Sequence, residues 1–310
     1  MVFLSKNKFK PFLKGFRYLI QRWVVVPLLP KSLRDEYRFF AQIKSVTYDD
    51  TAYKEALLRS RVHQVDKVLT FKDFISRKGT LSGIRELLQE VSEKQDHDDA
   101  TVNWCKQVLA EYQERARGSQ PIEGTFDLLY DAEAQRILTS IIESRRSIRS
   151  FTQQPISKED INRILVSGLW APTGCNRQTI KYLVLEDKED IKFCQKIAGE
   201  VYSFPSDAPI CVVILADPRA YALPGQRHMA YLETGAAVQN MLLTARVLGI
   251  GSCWLFWHDA VQKQSDFLLR FWLRPWLLPV ALVCFGYPAT VPKFPPGRRE
   301  LSKCVHYARS

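Results

Sequence analysis

Residues 145–151 read Arg145-Arg146-Ser147-Ile148-Arg149-Ser150-Phe151. Three guanidiniums and two hydroxyls follow a stretch, residues 132–145, whose apolar positions recur at helical spacing. A guanidinium fork beside a Ser hydroxyl suits a phosphate dianion, which accepts paired, charge-assisted hydrogen bonds. The same residues would also serve as a solvated basic helix C-terminus, complementing the helix dipole. Spacing alone favours the second reading, so the segments on either side have to decide.

Downstream, residues 157–171 read as a helix. It opens on Ser157 with Asp160 three residues on, a weak capping box. Residues 180–185 (IKYLVL) form a strand candidate, followed by a helix over 189–200. Residues 210–215 (ICVVIL) and 280–285 (VALVCF) are continuous apolar runs, the mark of strands buried on both faces. Between them lie a long apolar helix over 230–248, a strand-like 253–256 and a helix over 260–270. Gly235-Ala236-Ala237 keeps the long helix slim enough for close packing against another helix or subunit. Buried strands mixed with helices predict a sheet covered on both faces. The tail, residues 289–310, has three prolines and little pattern, and it is long enough to wrap something.

Upstream, residues 32–116 are helical in pattern. Leu33, Tyr37, Phe40 and Ile43 recur at steps of three and four, and residues 53–71 continue in the same way. Ile84, Leu87, Leu88 and Val91 do the same, as do Trp104, Val108, Leu109 and Tyr112. A polar connector, residues 94–100, carries N-cap residues at its end. Residues 117–124 (RGSQPIEG) form the clearest linker. Three parts result: a basic amphipathic segment (1–34), a helical N-terminal domain (35–124) and a second domain (125–310).

The 310 residues are 46% hydrophobic and 25% charged, a globular balance that excludes disorder and a disulfide-stapled miniprotein. Lys and Arg outnumber Asp and Glu 44 to 33. Lys6, Lys8, Lys10, Lys14, Arg17, Arg22, Lys31 and Arg34 fall in residues 1–34 without one acid, so the excess belongs mainly to that segment. There Phe12, Phe16, Leu19, Ile20, Trp23 and Val24 share one helical face and Lys14, Arg17 and Gln21 the other, as in a helix lying on a membrane surface. A helix packing that face on its own protein would look the same. The charges interrupt it too often for a membrane span, and large aliphatics between the basic residues argue against nucleic acid. Seven cysteines without a C-x-x-C pair support neither a disulfide framework nor zinc. They point to a reducing, cytoplasmic compartment, peripheral on the membrane if residues 1–34 bind it. The five histidines are scattered, so no metal site and no histidine-based hydrolase is expected.

Set in order, the motifs decide. Arg-Arg-Ser-x-Arg-x-Phe is followed by Ala171-Pro172-Thr173-Gly174-Cys175-Asn176-Arg177-Gln178 and Asp207-Ala208-Pro209. Then come Glu233-Thr234-Gly235-Ala236-Ala237-Val238-Gln239-Asn240, Leu248-Gly249-Ile250-Gly251-Ser252-Cys253-Trp254, Gly286-Tyr287-Pro288, and finally Arg298-Arg299. This series resembles the nitroreductase family of FMN-dependent oxidoreductases over residues 135–310. The resemblance implies an α+β fold, a mixed sheet flanked by helices, working as an intertwined homodimer with FMN at the interface and the tail embracing the partner. It implies NAD(P)H, or a reduced substrate, as electron donor. Arg145, Arg146 and Ser147 would hold the FMN phosphate with Arg298 or Arg299, and Arg149 would reach the pyrimidine edge. Pro172, Thr173 and Asn176 of the partner would line the ring, with Gln178 supporting that loop and the backbone at Leu255 and Phe256 near the flavin N5. No protein group would be catalytic, because the flavin carries the hydride chemistry.

Two departures bear on the substrate. Glycines common after the Gly-x-Gly-Ser-Cys-Trp strand are Leu255, Phe256 and Trp257 here, whose bulk is expected to narrow the pocket. A Lys found before Asp-Ala in some members is missing from residues 203–206. In the helical part, residues 61–69 loosely resemble a His-x-x-Glu-Lys-Gly-Leu stretch of longer members found with bacterial polysaccharide genes. That implies a role in surface-polysaccharide metabolism, with His63 and Lys67 donating to a substrate or to the flavin mouth; alternatively His63 and Asp66 satisfy each other. A non-enzymatic, membrane-associated flavin-binding or scaffold protein of the same fold is the competing reading.

Overall fold

The computed structural model describes residues 50–70, 81–119, 131–199, 204–221, 226, 228–257 and 261–308. The basic segment 1–34, the periodic positions from Leu33 to Ile43 and most of the linker lie outside them.

The first described part is a three-helix unit: α1 (Thr51–Leu69), α2 (Ser82–Ser92) and α3 (Asp99–Ala116). Aspartates start two of them, Asp50 accepting the Tyr53 N–H at 2.9 Å and Asp98 the Thr101 N–H at 3.0 Å. Each cap satisfies a backbone donor that the first turn leaves without a helical partner. Leu58, Val62 and Val65 share one face of α1 and meet Ile84, Leu87 and Val91 of α2 and Cys105, Val108 and Tyr112 of α3. Among the described residues, the buried side chains of this cluster come from these three helices, with roughly 1.5–3 kcal/mol for each large side chain taken out of water.

The second part is built on four strands, β1 (Ile180–Leu185), β2 (Ile210–Ala216), β3 (Gly251–Phe256) and β4 (Leu278–Gly286), in the order β1-β2-β4-β3. All three pairings are antiparallel; parallel pairing enters only as an isolated Ser147–Ser252 bridge among the described residues. The apolar runs are continuous because both faces are covered. Cys211, Val213, Leu215, Leu282 and Cys284 point one way, toward α6 (Lys188–Ala198) and α8 (Val261–Arg270). Ile210, Val212, Ile214, Ala281 and Val283 point the other, toward α5 (Lys158–Leu169) and α7 (Met229–Val247). Side chains alternate along a strand, so the two sets interleave residue by residue. The α+β architecture expected from the sequence is the one observed.

Helix α4 (Ala132–Ser144) differs from its neighbours in burying no residue. Ile137, Leu138 and Ile142 are 46%, 56% and 50% exposed. The tail from Ala289 onward is also exposed almost throughout. No helix among the described residues is long and apolar enough to cross a membrane.

Candidate functional site

Helix α4 ends at Arg145, and the chain then runs along the sheet edge. The Ile148 N–H donates to the Ser252 carbonyl at 2.9 Å, and Thr152 N–H to the Tyr287 carbonyl at 2.8 Å. The Ala289 N–H returns a bond to the Ser150 carbonyl at 2.9 Å. Ile148 and Phe151 enter the core over two glycines. A Cβ on Gly251 would come within 2.8 Å of Ile148, and one on Gly286 within 2.7 Å of Phe151. Glycine is thus required at both positions for the strip to lie this close. With Ile148 and Phe151 anchored, Arg149 stays exposed, its guanidinium 6.0 Å from the Phe204 ring.

Beside this strip lies a cleft of about 140 Å³, lined by Arg145, Arg146, Arg246, the backbone around Gly251 and Ser252, and Pro288. The guanidiniums around it do different work. Arg146 turns back to donate to the Glu143 carbonyl at 2.5 Å and the Arg145 carbonyl at 2.9 Å. It therefore occupies carbonyls at the end of α4, the part of a helix that would repel an anion. Arg246 donates through Nε to Ser144 Oγ at 3.0 Å. Arg145 is half-buried at the cleft wall, and Ser147 is half-buried next to it.

A second element is the loop between α5 and β1. Cys175, Asn176 and Gln178 all have positive φ, at 55°, 53° and 52°. Non-glycine residues pay roughly 1–2 kcal/mol each for this conformation, so surrounding contacts must hold it. Thr173 Oγ1 accepts the Gln178 N–H at 3.1 Å, and the Thr173 carbonyl accepts the Asn176 N–H at 3.0 Å. Gln178 Nε2 donates to Asn176 Oδ1 at 3.0 Å. Beneath the loop, Glu233 is 2% exposed and accepts both the Gly174 N–H at 2.7 Å and the Thr179 hydroxyl at 3.0 Å. Burial, followed by the Glu233 carboxylate nearby, pushes the Tyr221 hydroxyl well above its ordinary pKa. Arg177 lies over that tyrosine ring at 5.3 Å.

Other expected positions lie outside the cleft lining. Leu255 and Trp257 are each 6% exposed and belong to the core, Trp257 packing edge-on against Phe267 at 5.0 Å. Their side chains fill the interior beneath the sheet. Phe256 ends β3. Arg298 and Arg299 stay with their own tail, donating to the Gly297 carbonyl at 3.1 Å and the Lys303 carbonyl at 3.1 Å. Neither has a hydrogen bond to the strip in this single chain. Pro172 is exposed at the start of the loop. His63 and Asp66 face each other at 3.9 Å, the mutual arrangement weighed from the sequence. No group of His, Cys, Asp or Glu among the described residues could hold a metal. The sequence reading missed Glu233 and Arg246. A carboxylate near the start of an otherwise apolar helix was the available signal for Glu233; Arg246, on the last turn of that helix, had none.

Comparison with known proteins matches the sequence to one family. The nitroreductase family model matches residues 142–205 and 200–287. A protein of Archaeoglobus fulgidus named "Putative NADH dehydrogenase/NAD(P)H nitroreductase" is 32% identical over 151 residues, 48% of this chain and 83% of that protein. An FMN reductase (NAD(P)H) of Bacillus subtilis is 28% identical over 164 residues, 48% of this chain and 64% of its own length. Among solved structures, a nitroreductase with bound FMN from Bacteroides fragilis aligns with a TM-score of 0.47 at 22% identity, covering 56% of this chain and 98% of that one. The chain belongs to the nitroreductase family.

Proposed function

We propose that the chain is an FMN-dependent oxidoreductase that takes hydride from NAD(P)H and passes it to an acceptor. The observation that carries this reading is the strip 145–151, stitched to the sheet edge beside a small arginine-lined cleft. The cleft's donors fit the phosphate end of FMN: a dianion is matched by the guanidiniums of Arg145 and Arg246, with the Ser147 hydroxyl next along the strip. Arg146 masks the carbonyls of α4 so that the helix end does not oppose the negative charge. Arg149, exposed beside Phe204, is the cation available to the pyrimidine edge. Bound there, FMN supplies hydride transfer, and the protein binds and orients it. Names of relatives support both partners: one is an FMN reductase using NAD(P)H, another an NADH dehydrogenase/NAD(P)H nitroreductase.

The functional unit in this reading is a homodimer. The bare apolar side of α4, an 83% exposed Trp170, a 66% exposed Leu232 and an extended tail with Phe294 at 75% are surfaces for a second copy. Loop 172–178 would then face the partner's flavin, and Arg298 or Arg299 would arrive with the partner's tail. Residues 1–34, basic and amphipathic, would hold the enzyme on an anionic membrane surface. The loose match over residues 61–69 favours an acceptor from surface-polysaccharide metabolism.

Purification with added FMN tests the core claim. The expected product is a yellow protein whose flavin is bleached anaerobically by NADH or NADPH. A chain that stays colourless would sink it.

A further inference from the structure

Arg59 of α1 is 6% exposed, yet it reaches out of its own helical unit. One arm, Nη1, donates to the Thr101 hydroxyl of α3 at 2.8 Å. The other, Nη2, donates to the carbonyl of Arg177 at 3.1 Å, 118 residues away in sequence. Five residues along the same helix, Gln64 Nε2 lies 3.4 Å from Cys175 Sγ. Both contacts land on the loop that holds Cys175, Asn176 and Gln178 at positive φ. The bonded carbonyl belongs to the peptide that joins Arg177 to Gln178, so fixing it fixes the turn into Gln178. From below, Glu233 holds the Gly174 amide and the Thr179 hydroxyl. From inside, Arg177 Nη1 donates to the Gly174 carbonyl at 2.8 Å.

A buried guanidinium is a costly way to join two parts of a protein, since its desolvation offsets much of what it gains. Burial indeed lowers the pKa of Arg59, against the nearby Glu55 and Asp98 carboxylates. The two halves already have another tie: Arg219, stacked on Trp276 at 4.1 Å, is paired with both Asp217 and Asp50. Adhesion alone therefore does not call for Arg59. What it adds is a fixed conformation in the one strained loop of the candidate site.

We propose that Arg59 is a positioning residue, through which the helical unit holds loop 173–178 in the conformation that presents Thr173, Asn176 and Gln178 to the site. The assignment of that loop to a flavin rests on the function proposed above; the brace does not.

Three full-length variants separate the possibilities. Arg59→Met keeps the aliphatic bulk and removes both donors. Arg59→Lys restores one donor. Asp50→Asn weakens the Arg219 tie between the same two halves, keeps a helix cap and leaves the loop alone. Amide hydrogen exchange on the FMN-free chain is the first readout. Asn176 and Gln178 should exchange at least tenfold faster in Arg59→Met, at an intermediate rate in Arg59→Lys, and as in wild type in Asp50→Asn. Unchanged exchange in Arg59→Met, or equal acceleration in Asp50→Asn, overturns the proposal. Visible circular dichroism after FMN loading is the second readout: the flavin bands should change in Arg59→Met, recover in part in Arg59→Lys and stay as in wild type in Asp50→Asn. Identical flavin bands in Arg59→Met and wild type overturn the role in the site. A wild-type chain that takes up no FMN removes the flavin from the picture, while the exchange result still decides the brace.

Discussion

The carboxylate of Glu233 accepts the backbone N–H of Gly174 at 2.7 Å, tying helix α7 to the loop ahead of β1. Its second oxygen takes the Thr179 hydroxyl, so one buried side chain satisfies two donors at opposite ends of a strained turn. Glu233→Ala leaves the buried Thr179 hydroxyl and the half-buried Gly174 N–H unpaired. An unsatisfied buried group costs about 1–3 kcal/mol, so urea unfolding should show a loss of about 1–4 kcal/mol. A loss no larger than that of an exposed control such as Glu159→Ala would show that the loop does not depend on this carboxylate.

Gly286 faces Phe151 and Pro209, both of which would lie 2.7 Å from an added Cβ. Gly286→Ala is expected to destabilise by about 1–3 kcal/mol through overpacking. It should also loosen the strip that carries Arg145, so flavin retention in gel filtration should fall with stability. Full stability with full retention would mean that the strip can move without consequence.

Arg145 and Arg146 are neighbours with different tasks. Arg145→Ala should weaken FMN binding roughly tenfold to a hundredfold, the worth of a hydrogen bond to a charged partner. Arg146→Ala removes donors to the Glu143 and Arg145 carbonyls, and should lower stability by roughly 0.5–1.5 kcal/mol while leaving FMN affinity within a few-fold. Equilibrium titration of FMN fluorescence distinguishes them. The reverse order of effects would reassign the phosphate contact.

Exposed apolar residues on α4 make the proposed homodimer testable. Leu138→Glu puts a charge on a face that a second copy would bury. Sedimentation should show a dimer for wild type and a monomer for the variant, with flavin lost alongside. A wild-type monomer that retains flavin would remove the partner from the site.

Asp50 bears on stability through pH. Burial works to raise its pKa, but the Arg219 guanidinium and the Tyr53 N–H outweigh it and hold the carboxyl below its ordinary value of 3.8. The native state therefore binds its proton less readily than the unfolded chain. The stabilisation is complete above the unfolded pKa and is lost as pH falls through the folded one. Asp50→Asn should lower the melting temperature at pH 7, and the gap to wild type should narrow as the pH falls below the ordinary carboxyl value of 3.8. A gap that persists at low pH would point to lost packing instead of lost charge.

Much of this molecule is written locally. The runs 210–215 and 280–285 announce strands buried on both faces, and Ser157 announces a helix start, with its hydroxyl accepting the Asp160 N–H at 3.0 Å. The order of short motifs from Arg145 to Pro288 carries the family. Each of these signals lies within a few neighbouring residues, where steric preference, capping and burial periodicity act without help from the rest of the chain.

Other features were decided only when the chain folded. Leu255 and Trp257 point inward because strand register sets which face a residue occupies, and a shift of one residue would reverse it. Which arginine caps a helix and which stays at the cleft depends on where α4 ends against β3. Glu233 meets Gly174 across 59 residues, and Arg59 meets Arg177 across 118. No local pattern encodes such pairs, because they form only after sheet and helices have brought distant backbone to within hydrogen-bonding reach. The sequence by itself determined the elements and the family; the tertiary structure decided which side chains hold the site in shape.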